Sequence, residues 1–224
     1  MLLTLISVAF GQMYEGNPCT AWPDLRDQLH TDQIGGFAGQ GPDFREGGAS
    51  SMLAPSGSPP VPACDSTNNT PEECAEAALL AKDRWSCTYG SPQAADGDPK
   101  TAWVEGANGL GEGEVLLVRV DPSQPLEIWA GYGKSDSLFG KNARPREVEV
   151  AVIQNGQCTP TQSTLICDNN PIVARHTVTL EDKNGYQPLP IPAASGDAIA
   201  IRILSVTPGS AWQDTCISEV RNAP

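Results

Sequence analysis

Two carboxylates and a hydroxyl stand close together at Asp96-x-Asp98-x-x-Thr101. This spacing puts a carboxylate, a turn carbonyl and the two oxygens of Thr101 on one tight loop, and Gly97 lets the chain bend between the acids. An oxygen-only cluster of that kind suits Ca²⁺, which takes six to eight hard ligands at about 2.3–2.6 Å. The alternative is that Asp96 and Asp98 only cap a turn. A second acidic pair, Glu112 and Glu114, lies in the glycine-rich turn Gly109-Leu-Gly-Glu-Gly113 and just after it. Paired carboxylates can hydrolyse glycosides. These two sit on one turn without surrounding aromatics, so they are expected to be solvated.

Nucleophilic hydrolysis needs a Ser or Cys, a His and an orienting carboxylate. The chain has two histidines, His30 and His176. His30 falls in a region that reads as a tail, and His176 shares strand parity with Val178 and Leu180, which points it inward. No G-x-S-x-G elbow is present, and no G-x-G-x-x-G or G-K-[ST] loop follows a strand, which excludes the nucleotide-binding folds. An enzyme is not expected, although a hydrolase with an unrecognised site would reveal itself by losing activity in His176→Ala.

The seven cysteines point to export. None of Cys19, Cys64, Cys74, Cys87, Cys158, Cys167 and Cys216 forms a C-x-x-C pair, and two histidines leave a zinc site without ligands. Disulfides are the expected use. On locality, Cys158–Cys167 closes a hairpin-sized loop and Cys64–Cys74 tethers a short helix, with Cys19 left over in the tail. The apolar run Leu2–Phe10 is too short to span a bilayer, and Ala9 and Gly11 offer a small-x-small cleavage pattern before Gln12. Residues 1–11 therefore read as a signal peptide, with a buried N-terminal strand as the alternative reading. No Cys follows the run directly, so no bacterial lipid anchor is expected.

The elements that must position these groups begin late in the chain. Between Gly35 and Ala63 lie seven Gly, five Pro and four Ser, with Phe37 and Phe44 the sole aromatics. Such a stretch buries too little apolar area to offset its ordering entropy, so residues 12–69 are expected to form a flexible tail or linker. Thr70, Pro71 and Glu73 spell a helix N-terminus with a capping box, and good helix formers continue to about Trp85, predicting a helix over 70–85. From residue 86 the pattern turns to strands. Val115–Val120 and Leu126–Ala130 are short apolar runs, while Val148, Val150 and Val152 alternate with Glu147, Glu149 and Ala151. Arg175–Leu180, Ile199–Ile203 and Cys216–Val220 complete the set, separated by Gly/Pro/Asn/Asp clusters. The expected class is all-β, an antiparallel sandwich or barrel over residues 86–224.

Charge narrows the partners. Fourteen Lys and Arg against 27 Asp and Glu give a formal charge of −13, which repels phosphate and so disfavours nucleic acid and anionic lipid.

Ala95-Asp-Gly-Asp-Pro-Lys-Thr-Ala-Trp-Val-Glu-Gly106 resembles the opening signature of discoidin, or coagulation factor 5/8 type C, domains. More narrowly, it is similar to the variant named for the translocation domain of NAD glycohydrolases. Gly131-Tyr-Gly-Lys-Ser135 with Asn142-Ala-Arg-Pro145, Pro208-Gly-Ser210, and Asp214-Thr-Cys-Ile-Ser-Glu-Val220 match that variant in order and spacing, over about residues 85–221. The resemblance implies an eight-stranded jelly-roll sandwich of galactose-binding type. It also implies a structural Ca²⁺ held by the Gln93 carbonyl, the Asp96 carboxylate, Asp98, Thr101, the Ser218 carbonyl and the Glu219 carboxylate, tying the first strand to the last. Many such domains place a terminal disulfide where Cys87 and Cys216 fall. Trp103 reads as a core residue.

A non-catalytic binding module is the function this implies, exported to the medium, a cell surface or a periplasm. The long connection 131–145 offers Tyr132, Lys134, Asp136, Phe139, Asn142 and Arg144 as a ligand face, an aromatic with polar donors suited to a sugar ring. The same residues could instead hold the loop together, with Trp212 and Tyr186 next in line for the ligand. The expected partner is a glycan. A protein–protein attachment domain is the alternative, and a glycan array separates the two.

Overall fold

The structure is a computed structural model and describes residues 19, 21–35, 37–40, 47–64, 67–160 and 164–224. The apolar run Leu2–Phe10 and its cleavage position lie outside them. In chain order the elements are α1 (Leu25–Gln28), β1 (Gln33–Ile34), β2 (Phe37–Gln40), β3 (Gly48–Ala49), α2 (Pro71–Ser86), β4 (Trp103–Val104), β5 (Val115–Val118) and β6 (Leu126–Ala130). Then follow α3 (Asp136–Lys141), β7 (Arg144–Ile153), β8 (Gln157–Pro160), β9 (Thr164–Asp168), β10 (Asn170–Thr179), β11 (Gln187–Pro188), β12 (Ala198–Thr207) and β13 (Cys216–Asn222).

Two antiparallel sheets make the sandwich. One is six-stranded in the order β1-β10-β7-β12-β5-β3, the other four-stranded in the order β11-β6-β13-β4; β2, β9 and β8 form a small third sheet. The inward residues follow the period-two pattern: Val148, Val150 and Val152 of β7, Ile199, Ile201 and Ile203 of β12, and Leu126 and Ile128 of β6 pack with Trp103 and Ile217 in one core. Trp103 is fully buried, and its indole N–H donates to the Ser51 carbonyl at 2.9 Å. The fold is the galactose-binding-like antiparallel β-sandwich.

The flexible linker expected through residue 69 is corrected over its described stretches. Leu25, Leu29 and Ile34 are buried against Val115, Leu117, Ala151, Ile153, Ala198 and Ala200, the outer face of the six-stranded sheet. This is why every residue of β5 is buried: Leu116 and Val118 face the sandwich core while Val115 and Leu117 face the N-terminal segment. Ala151, on the face of β7 opposite its core valines, is covered for the same reason. Burying each large aliphatic contributes about 1.5–3 kcal/mol, which offsets the ordering entropy that composition alone made decisive. The small side chains Ala151, Ala198 and Ala200 leave room for α1. His30 is likewise not in a free tail but lies 3.2 Å from the Arg202 guanidinium.

Glu114, expected to be solvated, is also buried. It accepts from Arg26 Nη1 at 2.8 Å and from the Ser50 hydroxyl, so it holds two parts of the N-terminal segment on the sandwich. Glu112 is exposed.

The disulfide scheme changes with the segment. Cys19 is bonded to Cys87, which leaves Cys216 as a buried free thiol and removes the Cys87–Cys216 bridge. Cys64–Cys74 forms as its spacing suggests. Register sets Cys158 opposite Cys167 across β8 and β9, though their side chains lie outside the described part. On α2 the capping box is complete: Glu73 N–H donates to Thr70 Oγ1 at 3.2 Å, and Thr70 N–H donates to Glu73 Oε2 at 2.7 Å.

Candidate functional site

Three loops at the margin of the four-stranded sheet carry the residues singled out above. The first, residues 91–101, leads into β4. Its Thr101 hydroxyl lies 2.9 Å from Asp96 Oδ2, 2.7 Å from the Asp98 carbonyl and 3.3 Å from the Gln93 carbonyl. Gly97, at φ +83°, turns the chain so that its N–H donates to Glu219 Oε2 at 2.9 Å. Glu219 belongs to the last strand and is buried, so this contact joins the two ends of the domain. The Asp98 carboxylate turns away to accept from Lys100 N–H at 3.0 Å, leaving its carbonyl on the Thr101 side. The Ser218 hydroxyl accepts from Gly133 N–H at 2.9 Å. The donors are all hard oxygens, two of them carboxylates, and that set fits Ca²⁺ and not a softer ion. Among the described residues no three His, Cys, Asp or Glu side chains cluster as a metal site, so a cation here would rely on carbonyls.

The second loop runs from β6 to β7 and contains α3. Its six predicted ligand residues divide sharply. Phe139, Asn142 and Arg144 are buried and hold the loop together, the alternative that the sequence left open for these residues. Arg144 donates to both oxygens of Asp182 and, through Nη1, to the carbonyls of Phe139 (3.3 Å) and Asn142 (3.2 Å). Its guanidinium also lies 4.9 Å from the Phe139 ring centroid. The Asn142 amide donates to the Leu138 carbonyl at 2.9 Å. Gly131, at φ +128°, has no alternative: a Cβ there would sit 2.5 Å from the Phe139 ring. Tyr132 is half-buried, packed beside Ala102, Val104 and Cys216, and burial raises its hydroxyl pKa. Lys134 and Asp136 are exposed, and Asp136 accepts from the Asn184 amide at 2.6 Å.

The third loop, 208–215, rests on the second. Ser210 N–H donates to the Gly140 carbonyl at 3.1 Å, and Trp212 N–H donates to the Lys141 carbonyl at 2.9 Å. Trp212 keeps 44% of its surface exposed, with the Lys141 ammonium 5.7 Å from its ring centroid. An indole this open, on a main chain held to Lys141, presents a ring face on which a ligand can stack. A further aromatic pair, Trp129 and Tyr186, meets edge to face at 5.1 Å on the outer side of the four-stranded sheet, with Arg221 over the Tyr186 ring at 3.5 Å. Trp129 was signalled only by its outward parity with Glu127 in β6.

Behind the third loop, Glu105 is buried where β4 ends. Burial, reinforced by Asp214 and Glu114, pushes its carboxyl up to about 7, against the opposing hydrogen bonds from Ala107 and Thr215 N–H. Burial likewise pushes the Cys216 thiol well up, so it is not a poised nucleophile.

Sheet order, loop placement and the bond from the first loop to the last strand define a factor 5/8 type C-like sandwich. The chain belongs to the family of NAD glycohydrolase translocation F5/8 type C domains, which it matches over residues 66–222. Among solved structures, it is similar to the arabinofuranosyltransferase AftD from Mycobacteria (14% identity, TM-score 0.37, 59% of this chain and 9% of that one). It is also similar to the CBM32 of AlyQ, solved with 4,5-unsaturated mannuronic acid (17% identity, TM-score 0.34, 59% of this chain and 84% of that one). A third is the F5/8 type C domain of a Bacteroides fragilis protein (16% identity, TM-score 0.31, 59% and 79%). The chain thus spans about a tenth of the transferase. No curated protein matches it.

Proposed function

We propose that this protein is an exported, non-catalytic binding module that recognises carbohydrate on a cell surface or matrix. The observation that carries this reading is Trp212: an exposed indole, on a loop whose main chain is hydrogen-bonded to α3, beside the Lys141 ammonium. The C–H face of a sugar stacks on such a ring while its hydroxyls find nearby donors. Lys134 and Asp136 are exposed charged side chains of the neighbouring loop. The Cys19–Cys87 and Cys64–Cys74 disulfides support an oxidising compartment. Among the described residues no helix is long and apolar enough to cross a membrane.

A structural Ca²⁺ belongs to the same proposal. Asp96, Thr101, Glu219 and the carbonyls of Gln93, Asp98 and Ser218 would hold it, and its role would be to tie the β4 approach to the last strand.

A glycan array with the intact chain tests the reading. Wild type is expected to retain a defined set of glycans, and Trp212→Ala to lose at least about tenfold in affinity while melting within a degree or two of wild type. Capture of no glycan overturns it. Capture undiminished by Trp212→Ala moves the site to the Trp129–Tyr186 face.

A further inference from the structure

Four positions of the chain set an aspartate or asparagine directly before a glycine: Asp96-Gly97, Asn108-Gly109, Asn155-Gly156 and Asn184-Gly185. Such a pair can close on itself, because glycine has no Cβ to shield its nitrogen. The main-chain nitrogen of the glycine attacks the side-chain carbonyl carbon of the residue before it, forming a five-membered imide. The attack needs an N–H released from any hydrogen bond and a side chain free to swing onto it.

The fold withholds this from three of the pairs. Gly97 N–H donates to Glu219 Oε2 at 2.9 Å, Gly156 N–H to Asn170 Oδ1 at 2.9 Å and Gly185 N–H to the Lys183 carbonyl at 3.0 Å. The Asn184 amide is pinned as well, accepting from the Trp129 indole at 3.1 Å and donating to Asp136. Asn155 is half-buried, and its Oδ1 is closed off from solvent. Asn108 is the opposite case. It is exposed on the loop between β4 and β5, and among the described residues neither its side chain nor Gly109 N–H makes a hydrogen bond. Gly109 stands at φ +103°, and a Cβ there would meet nothing within 4 Å.

We propose that Asn108 is a site of spontaneous covalent modification, converted through a cyclic imide with Gly109 into aspartate and isoaspartate. The Gly109 nitrogen bonds to Asn108 Cγ, its proton passes to the departing amide, and ammonia leaves. One water then opens the imide, with no change of oxidation state. Opening at Cγ restores the main chain and leaves aspartate. Opening at the main-chain carbonyl routes the chain through Cγ and leaves isoaspartate, one methylene longer. Either product adds a negative charge to a chain whose formal charge is already −13. The change falls two residues before Leu110, whose carbonyl accepts from the Thr215 hydroxyl at 2.7 Å and so anchors the 208–215 loop. The inference does not depend on the glycan reading.

Peptide mapping by mass spectrometry tests it on the intact, oxidised chain, incubated at mildly alkaline pH in water enriched in heavy oxygen. In the folded chain the peptide holding Asn108 is expected to split into two products of equal mass, each carrying one solvent oxygen. Asn155 and Asn184 should convert at least about tenfold more slowly, since a hydrogen bond must first be given up. In urea, where those bonds are lost, the three Asn-Gly pairs should convert at comparable rates. Anion exchange of aged Asn108→Ser should lack the acidic species that wild type accumulates. A folded chain that keeps Asn108 intact while the unfolded chain converts overturns the inference. So does Asn155 or Asn184 matching the rate of Asn108 in the folded chain, a product without isoaspartate, or an acidic species that persists in Asn108→Ser.

Discussion

Arg144 holds Asp182 with two parallel bonds, Nε to Oδ1 at 2.5 Å and Nη2 to Oδ2 at 2.7 Å, across 38 residues of sequence. This fork joins the start of β7 to the loop before β11, while the remaining nitrogen ties down the carbonyls of the α3 loop. Arg144, a residue of the 131–145 connection that could face a ligand or hold the loop together, builds the platform on which that loop stands.

Arg144→Ala is accordingly expected to cost about 2–4 kcal/mol, because it leaves buried carbonyls unpaired and opens space beside Phe139. Arg144→Lys should recover less than half of that loss, since an ammonium cannot form the fork. Thermal melts of both variants check this. A melting temperature unchanged in Arg144→Ala would contradict the assignment.

Metal binding is checked by melting the chain in Ca²⁺ and in EDTA. Ca²⁺ at a hundred times its dissociation constant should add about 2.7 kcal/mol of stability. Asp96→Ala should abolish the response and also lower the metal-free stability, because Asp96 accepts from Asp98 N–H at 2.8 Å and from the Thr101 hydroxyl. Identical melts in millimolar Ca²⁺ and EDTA would rule out the site.

Glu105 predicts a pH dependence. Its carboxyl titrates near 7 in the fold against 4.5 unfolded, so the folded state favours the protonated form. The stability it contributes is complete below about pH 4.5 and is lost as pH rises through about 7, at up to about 1.4 kcal/mol per pH unit between them. Glu105→Gln removes this slope. The variant gives up one of the two main-chain hydrogen bonds that the Glu105 oxygens accept, so the test is the slope and not the absolute melting point: parallel stability curves of wild type and variant from pH 5 to 8 would exclude a shifted Glu105.

The N-terminal segment should prove integral to the domain. Leu29→Ala, at a buried site, is expected to cost about 2–5 kcal/mol. Removing the Cys19–Cys87 bond with a Cys19→Ser, Cys87→Ser double variant should cost up to about 4 kcal/mol on the chain-entropy account of a 68-residue loop. Hydrogen exchange gives the independent readout. Amides of residues 25–34 protected as well as those of β7 agree with docking, whereas full exchange within seconds would return the segment to a linker.

Much of this was legible in the residues themselves. The period-two runs of β7 and β12, the capping box at Thr70 and the Asp96–Thr101 turn are local patterns, set by bonds within a few positions, and sequence determines them directly. Neighbouring residues likewise identified the family blocks from 95 to 220. The tertiary structure alone decided three things. Composition marked residues 12–69 as unable to pay for their own order, and only the alanine-floored face of the six-stranded sheet supplies the partner that changes the balance for Leu25, Leu29 and Ile34. Cys19 found Cys87 because that docking brings them together, a long-range event that spacing does not encode. Tyr132, Phe139 and Arg144 all read as loop side chains, yet their roles separate by depth: the loop folds over Phe139 and Arg144, and the open aromatic surface passes to Trp212 on the loop stacked above. Burial of a side chain is a property of everything that packs around it, and that is why it could not be read from its neighbours in the chain.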